Sequence, residues 1–138
     1  MSDIHKLFDF ISRETGIDAK ILNLDSDISM EFGVYGDDLL ELIDRYSIEF
    51  EVNIESFLWY FHSPEEATNP FRLIFPPPDR RVERIPITPR MLFTFMETGN
   101  WDLEYPRHRL PARRWDIISL KIFLLTVGLS GLIIAVLS

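Results

Sequence analysis

Asp25, Asp27, Ser29 and Glu31 stand at alternate positions, the spacing with which a calcium-binding loop begins. Such a loop also needs Gly at its sixth position for a sharp turn and Glu at its twelfth as a bidentate ligand. Those positions hold Met30 and Gly36, so the stretch is expected to be a solvated acidic loop with no metal site. Asp37 and Asp38 are adjacent carboxylates that can serve acid–base chemistry, but capping and the helix dipole account for both without catalysis. His5, His62 and His108 are dispersed without an i, i+4 partner, and cysteine is absent. No zinc ligand set, disulfide or thiolate nucleophile is therefore available. Each histidine is expected at the surface or its boundary. No glycine-rich phosphate loop, G-x-S-x-G elbow or H-E-x-x-H pair occurs. The chain is not expected to be an enzyme, and no cofactor or small-molecule substrate is predicted.

The elements that must position these residues are legible as apolar stripes. Ile4, Leu7, Phe8 and Ile11 recur at helical spacing, and Gly16 follows as a C-terminal cap. A long link, residues 17–36, carries Leu22, Leu24, Ile28 and Phe32 among acids. A second helix should start near Asp37-Asp38 and bury Leu39, Leu42, Ile43, Tyr46 and Phe50. Its other face carries Asp38, Glu41, Asp44 and Glu49. Ile54, Phe57, Leu58 and Phe61 fit a short third helix, stopped by Ser63-Pro64. Asn69-Pro70, Pro76-Pro77-Pro78 and Pro86 exclude a long helix across residues 64–86, where Phe71, Leu73, Ile74 and Phe75 are expected to pin the loop to the head. Thr88-Pro89 reads as N-cap and first helical residue of a fourth helix, closed by Gly99.

Composition divides the chain in two. At 138 residues it has the length of one domain, with a net charge of −8. That charge argues against nucleic acid, whose phosphates need a basic footprint. Residues 1–66 hold sixteen acids against four bases, whereas residues 67–138 hold six against ten.

The basic half ends in a greasy segment. Ile122–Ser138 contains no charged residue, and residues 117–138 would span roughly 33 Å as a helix at ~1.5 Å per residue, enough for a hydrocarbon core of about 30 Å. Arg113, Arg114, Trp115 and Lys121 are the expected anchors: bases at anionic headgroups, an interfacial aromatic, and a lysine that snorkels. With the basic flank on its N-terminal side, the segment predicts a single pass through the inner membrane with the head in the cytoplasm.

Four helices with a long first link and an acidic second helix resemble the acyl carrier protein fold. Carrier proteins show a hydrophobic-Gly-x-Asp-Ser-Leu turn, then an acidic helix ending in Glu-Phe. Phe32-Gly33 is similar to that turn, Glu41-Leu42 to the helix middle and Glu49-Phe50 to its end. The Gly-Asp-Asp start at Gly36 and the Ile87-Thr88 … Gly99-Asn100-Trp101 segment resemble a narrower group, the small bacterial domain-of-unknown-function family 1493. The resemblance covers about residues 3–101. In carrier proteins the turn serine bears phosphopantetheine; without gaps, its position here is Gly36, and Ser26, Ser29 and Ser47 lie seven or more residues away. The resemblance thus implies a carrier fold without carrier chemistry.

The expectation is an all-α protein: an acyl-carrier-like four-helix bundle over residues 1–101 with a Pro-rich insertion at 64–86. A basic juxtamembrane linker, 102–116, and a single C-terminal transmembrane helix, 117–138, would follow. Its function is expected to be that of a membrane-anchored, non-enzymatic adaptor. Asp37, Asp38, Glu41, Asp44 and Glu49 would bind a protein partner with a basic patch, as the second helix does in the family it resembles. The alternatives are a small inhibitor or immunity-type protein neutralising a basic partner, and a membrane-bound carrier modified at an unusual residue.

Overall fold

A computed structural model of the chain describes residues 3–65 and 68–138; the start of the expected head, residues 1–2, and residues 66–67 of the expected insertion lie outside them. The described residues are mostly helical and form no strand, only one isolated parallel bridge between Asn53 and Asn100. The longer helices are α1 (Ile4–Thr15), α2 (Ile28–Phe32), α3 (Asp37–Glu49), α4 (Pro89–Thr98) and α5 (Trp115–Leu137).

Local chemistry sets most of these boundaries. The Asp3 carboxylate accepts from the His5 N–H at 2.9 Å to open α1, and Gly16 closes it in the left-handed region. Thr88 caps α4 through the Met91 N–H, Pro89 supplies its first residue, and Gly99 ends it as Gly16 ends α1. The buried stripes then meet: Leu7, Phe10 and Ile11 of α1, Leu39, Leu42, Ile43 and Tyr46 of α3, and Leu92 and Phe95 of α4. Leu22, Ile28, Val34, Val52, Ile87 and Trp101 complete this core. Tyr46 donates its hydroxyl to the Leu92 carbonyl at 2.5 Å, so its polar end is satisfied where burial raises its pKa.

Four expectations need correction. The link between α1 and α3 contains a further helix, α2, capped by the Asp27 side chain. The expected third helix is a chain of turns with one 3₁₀ segment, Trp59–Phe61. Its polar groups are drawn to distant partners instead: the Ser56 hydroxyl donates to the Trp101 carbonyl, and the Leu58 N–H donates to the Tyr105 hydroxyl. The chain after Trp101 is no free linker, because Trp101 lies in the core and Leu103 and Tyr105 pack against it. Leu73 and Ile74 do not pin the insertion to the head; both side chains stand exposed.

His62 is corrected as well, being a core residue. Its Nδ1–H donates to the Ile85 carbonyl, its Nε2 accepts from the Tyr105 hydroxyl, each at 2.8 Å, and its ring stacks on Phe57. Burial, with Arg84 nearby, lowers its pKa to about 4, so the neutral ring holds the segment before Ser63 in place.

α5 is a helix of 23 residues whose most apolar 18-residue stretch has mean hydropathy 2.4, long and apolar enough to cross a membrane. It starts two residues before the expected boundary.

Candidate functional site

The turn that opens α3 is built around Gly36, whose φ of 60° and ψ of −134° suit a residue without Cβ. Its N–H donates to the Ser63 hydroxyl at 2.6 Å, and that hydroxyl donates to the Pro64 carbonyl. Ser63 is 4% exposed, so the serine that the fold brings to this turn is enclosed and used as a cap acceptor. No local pattern announces it, because it arrives from 27 residues away. No side chain caps α3, so Asp37 and Asp38 are first-turn residues and not caps as expected; their charges still suit the positive helix end.

The five acids expected to bind a partner are all exposed, and the structure divides them. Arg13 of α1 bonds Glu49 at 2.5 Å and Glu14 at 3.2 Å. Arg45 of α3 bonds the other Glu14 oxygen at 2.6 Å and Glu41 at 2.5 Å. The result is an alternating chain, Glu49–Arg13–Glu14–Arg45–Glu41, along the seam of the two helices. Hydrogen bonding from Arg45, aided by Arg13, lowers the pKa of Glu14. Glu41 and Glu49 are thereby engaged within the molecule. Among the described residues, Asp37, Asp38 and Asp44 have no ion pair.

Residues 37, 41, 44 and 48 recur every three or four positions and so share one outward stripe. It ends in Ile48, which is 72% exposed, and Leu40 flanks it, also exposed. An open cleft of about 390 Å³ lies beside this stripe, lined by Glu14, Phe32, Asp38, Glu41 and Arg45. Leu40 and Ile48 carried a signal in the sequence, being apolar residues off the buried stripe.

The calcium-like spacing has a different use. Asp25 takes both arms of Arg90, at 2.9 and 3.0 Å, while Asp27 pairs with Arg84 and caps α2. Glu31 is exposed and Ser29 is buried, so these four oxygens do not converge.

Of the expected anchors, Lys121, Arg113 and Trp115 are exposed, with the Arg113 guanidinium 5.9 Å from the Trp115 ring. Arg114 differs. Its guanidinium bonds Glu65 at 2.8 Å and Asp116 at 2.6 Å, fastening the head to the first turn of α5.

Searches of curated proteins and of solved structures found no significant match. The family model for a protein of unknown function (DUF1493) matches residues 1–104, which include α1 to α4 and the core residue Trp101, and the chain belongs to that family.

Proposed function

We propose that this chain is a non-enzymatic adaptor whose helical head is held at the cytoplasmic face of the inner membrane by α5. The head binds a protein with a basic patch through the outward stripe of α3. The observation that carries this reading is the combination on that stripe: free carboxylates at Asp37 and Asp44 beside exposed Leu40 and Ile48. Acidic charge steers association, and an apolar side chain within the acids gives a partner something to bury. Gly36 and the enclosed Ser63 favour this over a phosphopantetheine carrier, since neither offers an accessible hydroxyl at the turn. The Arg107–Lys121 bases support the cytoplasmic orientation.

The test uses full-length protein in detergent-solubilised membranes. A partner recovered by the wild type should be lost by an Asp37→Lys, Asp38→Lys, Asp44→Lys variant that keeps its helical signal. Recovery unchanged by the triple reversal would sink the docking face. Co-expression with a phosphopantetheinyl transferase should leave the intact mass unaltered; a matching mass increase would restore the carrier reading.

A further inference from the structure

If α5 spans a bilayer, it does not enter alone. A core of ~30 Å takes about 20 helical residues, and α5 offers 23. Asp116, paired with Arg114, stays among the headgroups and Lys121 snorkels back to them, which places the edge of the hydrocarbon near Ser119, one turn past Asp116. Phe123 then lies roughly 6 Å beneath that edge, at ~1.5 Å per residue. The Phe71 ring packs on Phe123 with centroids 6.0 Å apart, and the Asn69 amide donates to the Asp116 carbonyl at 3.0 Å. The tip of the Pro-rich insertion is therefore carried to the depth of the first turns of α5. We infer that residues 70–75 form a second membrane contact, a short foot inserted at the boundary of headgroups and acyl chains in the leaflet that α5 enters.

The chemistry of the foot fits lipid in three respects. Leu73 and Ile74 are 81% and 69% exposed, with nothing of the head over them. The backbone donors are satisfied locally, as an apolar solvent requires. The Phe71 N–H donates to the Asn69 side chain, the Arg72 N–H to the Asn69 carbonyl, and the Ile74 and Phe75 N–H groups to the Phe71 carbonyl. Pro76-Pro77-Pro78, which follow, have no N–H to satisfy. Arg72, the one charged residue between positions 69 and 78, is 8% exposed; its guanidinium bonds the Glu65 carbonyl and the Asp79 carboxylate. Exposed bases stand at the rim instead. Arg81 and Arg113 line one cleft with Phe75 and Trp115, where anionic headgroups would sit.

The inference rests on the reading of α5 as a membrane span, so the experiment reads both. Because the chain has no cysteine, Leu73→Cys, Leu129→Cys and Ile48→Cys each give one labelling site in the full-length protein. Each variant is labelled with an environment-sensitive fluorophore and reconstituted in mixed zwitterionic and anionic vesicles. Their lipids carry a nitroxide either near the headgroup or deep in the acyl chain. The expected result is loss of Leu129-site emission with the deep nitroxide and no loss at the Ile48 site. The Leu73 site should show a blue shift and loss mainly with the shallow nitroxide. Burial of the tip by a second copy would leave that label unquenched, since quenching requires lipid contact. An unquenched Leu73 site beside a quenched Leu129 site overturns the foot and leaves the span; no quenching at either overturns both. Ile74→Cys repeats the reading from the neighbouring side chain, so a single perturbed site does not decide it.

Discussion

At Gly36 a single backbone conformation decides which side chains the turn before α3 can hold. With φ at 60° and ψ at −134°, any Cβ is strained, at a cost of order 1–3 kcal/mol. Gly36→Ser should therefore lower the free energy of unfolding by that amount, read as a lower denaturant midpoint, and still acquire no phosphopantetheine; an unchanged midpoint would contradict the constraint. Glycine was visible in the sequence at this position, but its reason, the positive φ and the Ser63 acceptor, was not. His62 gives the second residue-scale prediction. Its folded pKa of about 4 lies below the 6.5 of a free histidine, so the unfolded chain takes up the proton first as pH falls. The stability this confers is whole above pH 6.5, is lost progressively towards pH 4, and amounts to roughly 3 kcal/mol. Glu14, Asp25 and Asp27, whose pKa values are lowered, lose their contributions from the ordinary carboxylate range downwards. Unfolding of wild type and His62→Gln across that window should show the slope in the first and its loss in the second.

Among the elements, α3 shows how one helix divides its acids between folding and an outward stripe. Asp44 pairs with no cation among the described residues, so Asp44→Lys should change stability by ~0.5 kcal/mol or less while slowing association with a basic partner. Glu41→Lys and Glu49→Lys set like charges against Arg45 and Arg13, so each should lower the melting temperature as well. If all three variants melt alike, the ion chain between α1 and α3 is not holding the helices. Wild-type association should also slow with salt, as the Debye length falls from ~10 Å at 0.1 M to ~3 Å at 1 M. The sequence made α1, α3 and α4 legible because an apolar stripe ran beside a terminal signal in each: Gly16 after the first, Asp37-Asp38 at the start of the second, and Thr88-Pro89 with Gly99 around the third. It hid α2, whose five residues are too few for a stripe. Ile54, Phe57, Leu58 and Phe61 mimic helical spacing while the Ser56 hydroxyl and the Leu58 N–H between them are held by Trp101 and Tyr105, which no window of local sequence contains. The acids of the docking stripe were readable one by one. Their division was not, because Arg13 reaches Glu49 across 36 residues of chain.

For the whole molecule, the acidic head and the apolar tail are separable in packing as well as in composition. Every residue of the main core falls between Leu7 and Trp101, with none from α5. What joins α5 to the head is peripheral: Phe71 on Phe123, Asn69 on the Asp116 carbonyl, and Arg114 between Glu65 and Asp116. A chain ending at Pro111 should therefore keep the slow amide exchange of α1, α3 and α4. Its residues 69–75, deprived of the surface they pack on, should become the preferred site of limited proteolysis. That chain should also stay in the supernatant, because two exposed side chains at the tip fall well short of the hydrophobic area of even one acyl anchor, which itself binds only marginally. The full-length protein should remain in the membrane pellet through carbonate and high salt, as a spanning helix does. Release by carbonate would make α5 a surface helix and strip the foot of its depth. A shortened chain that still pelleted would move the principal anchor from α5 to the insertion.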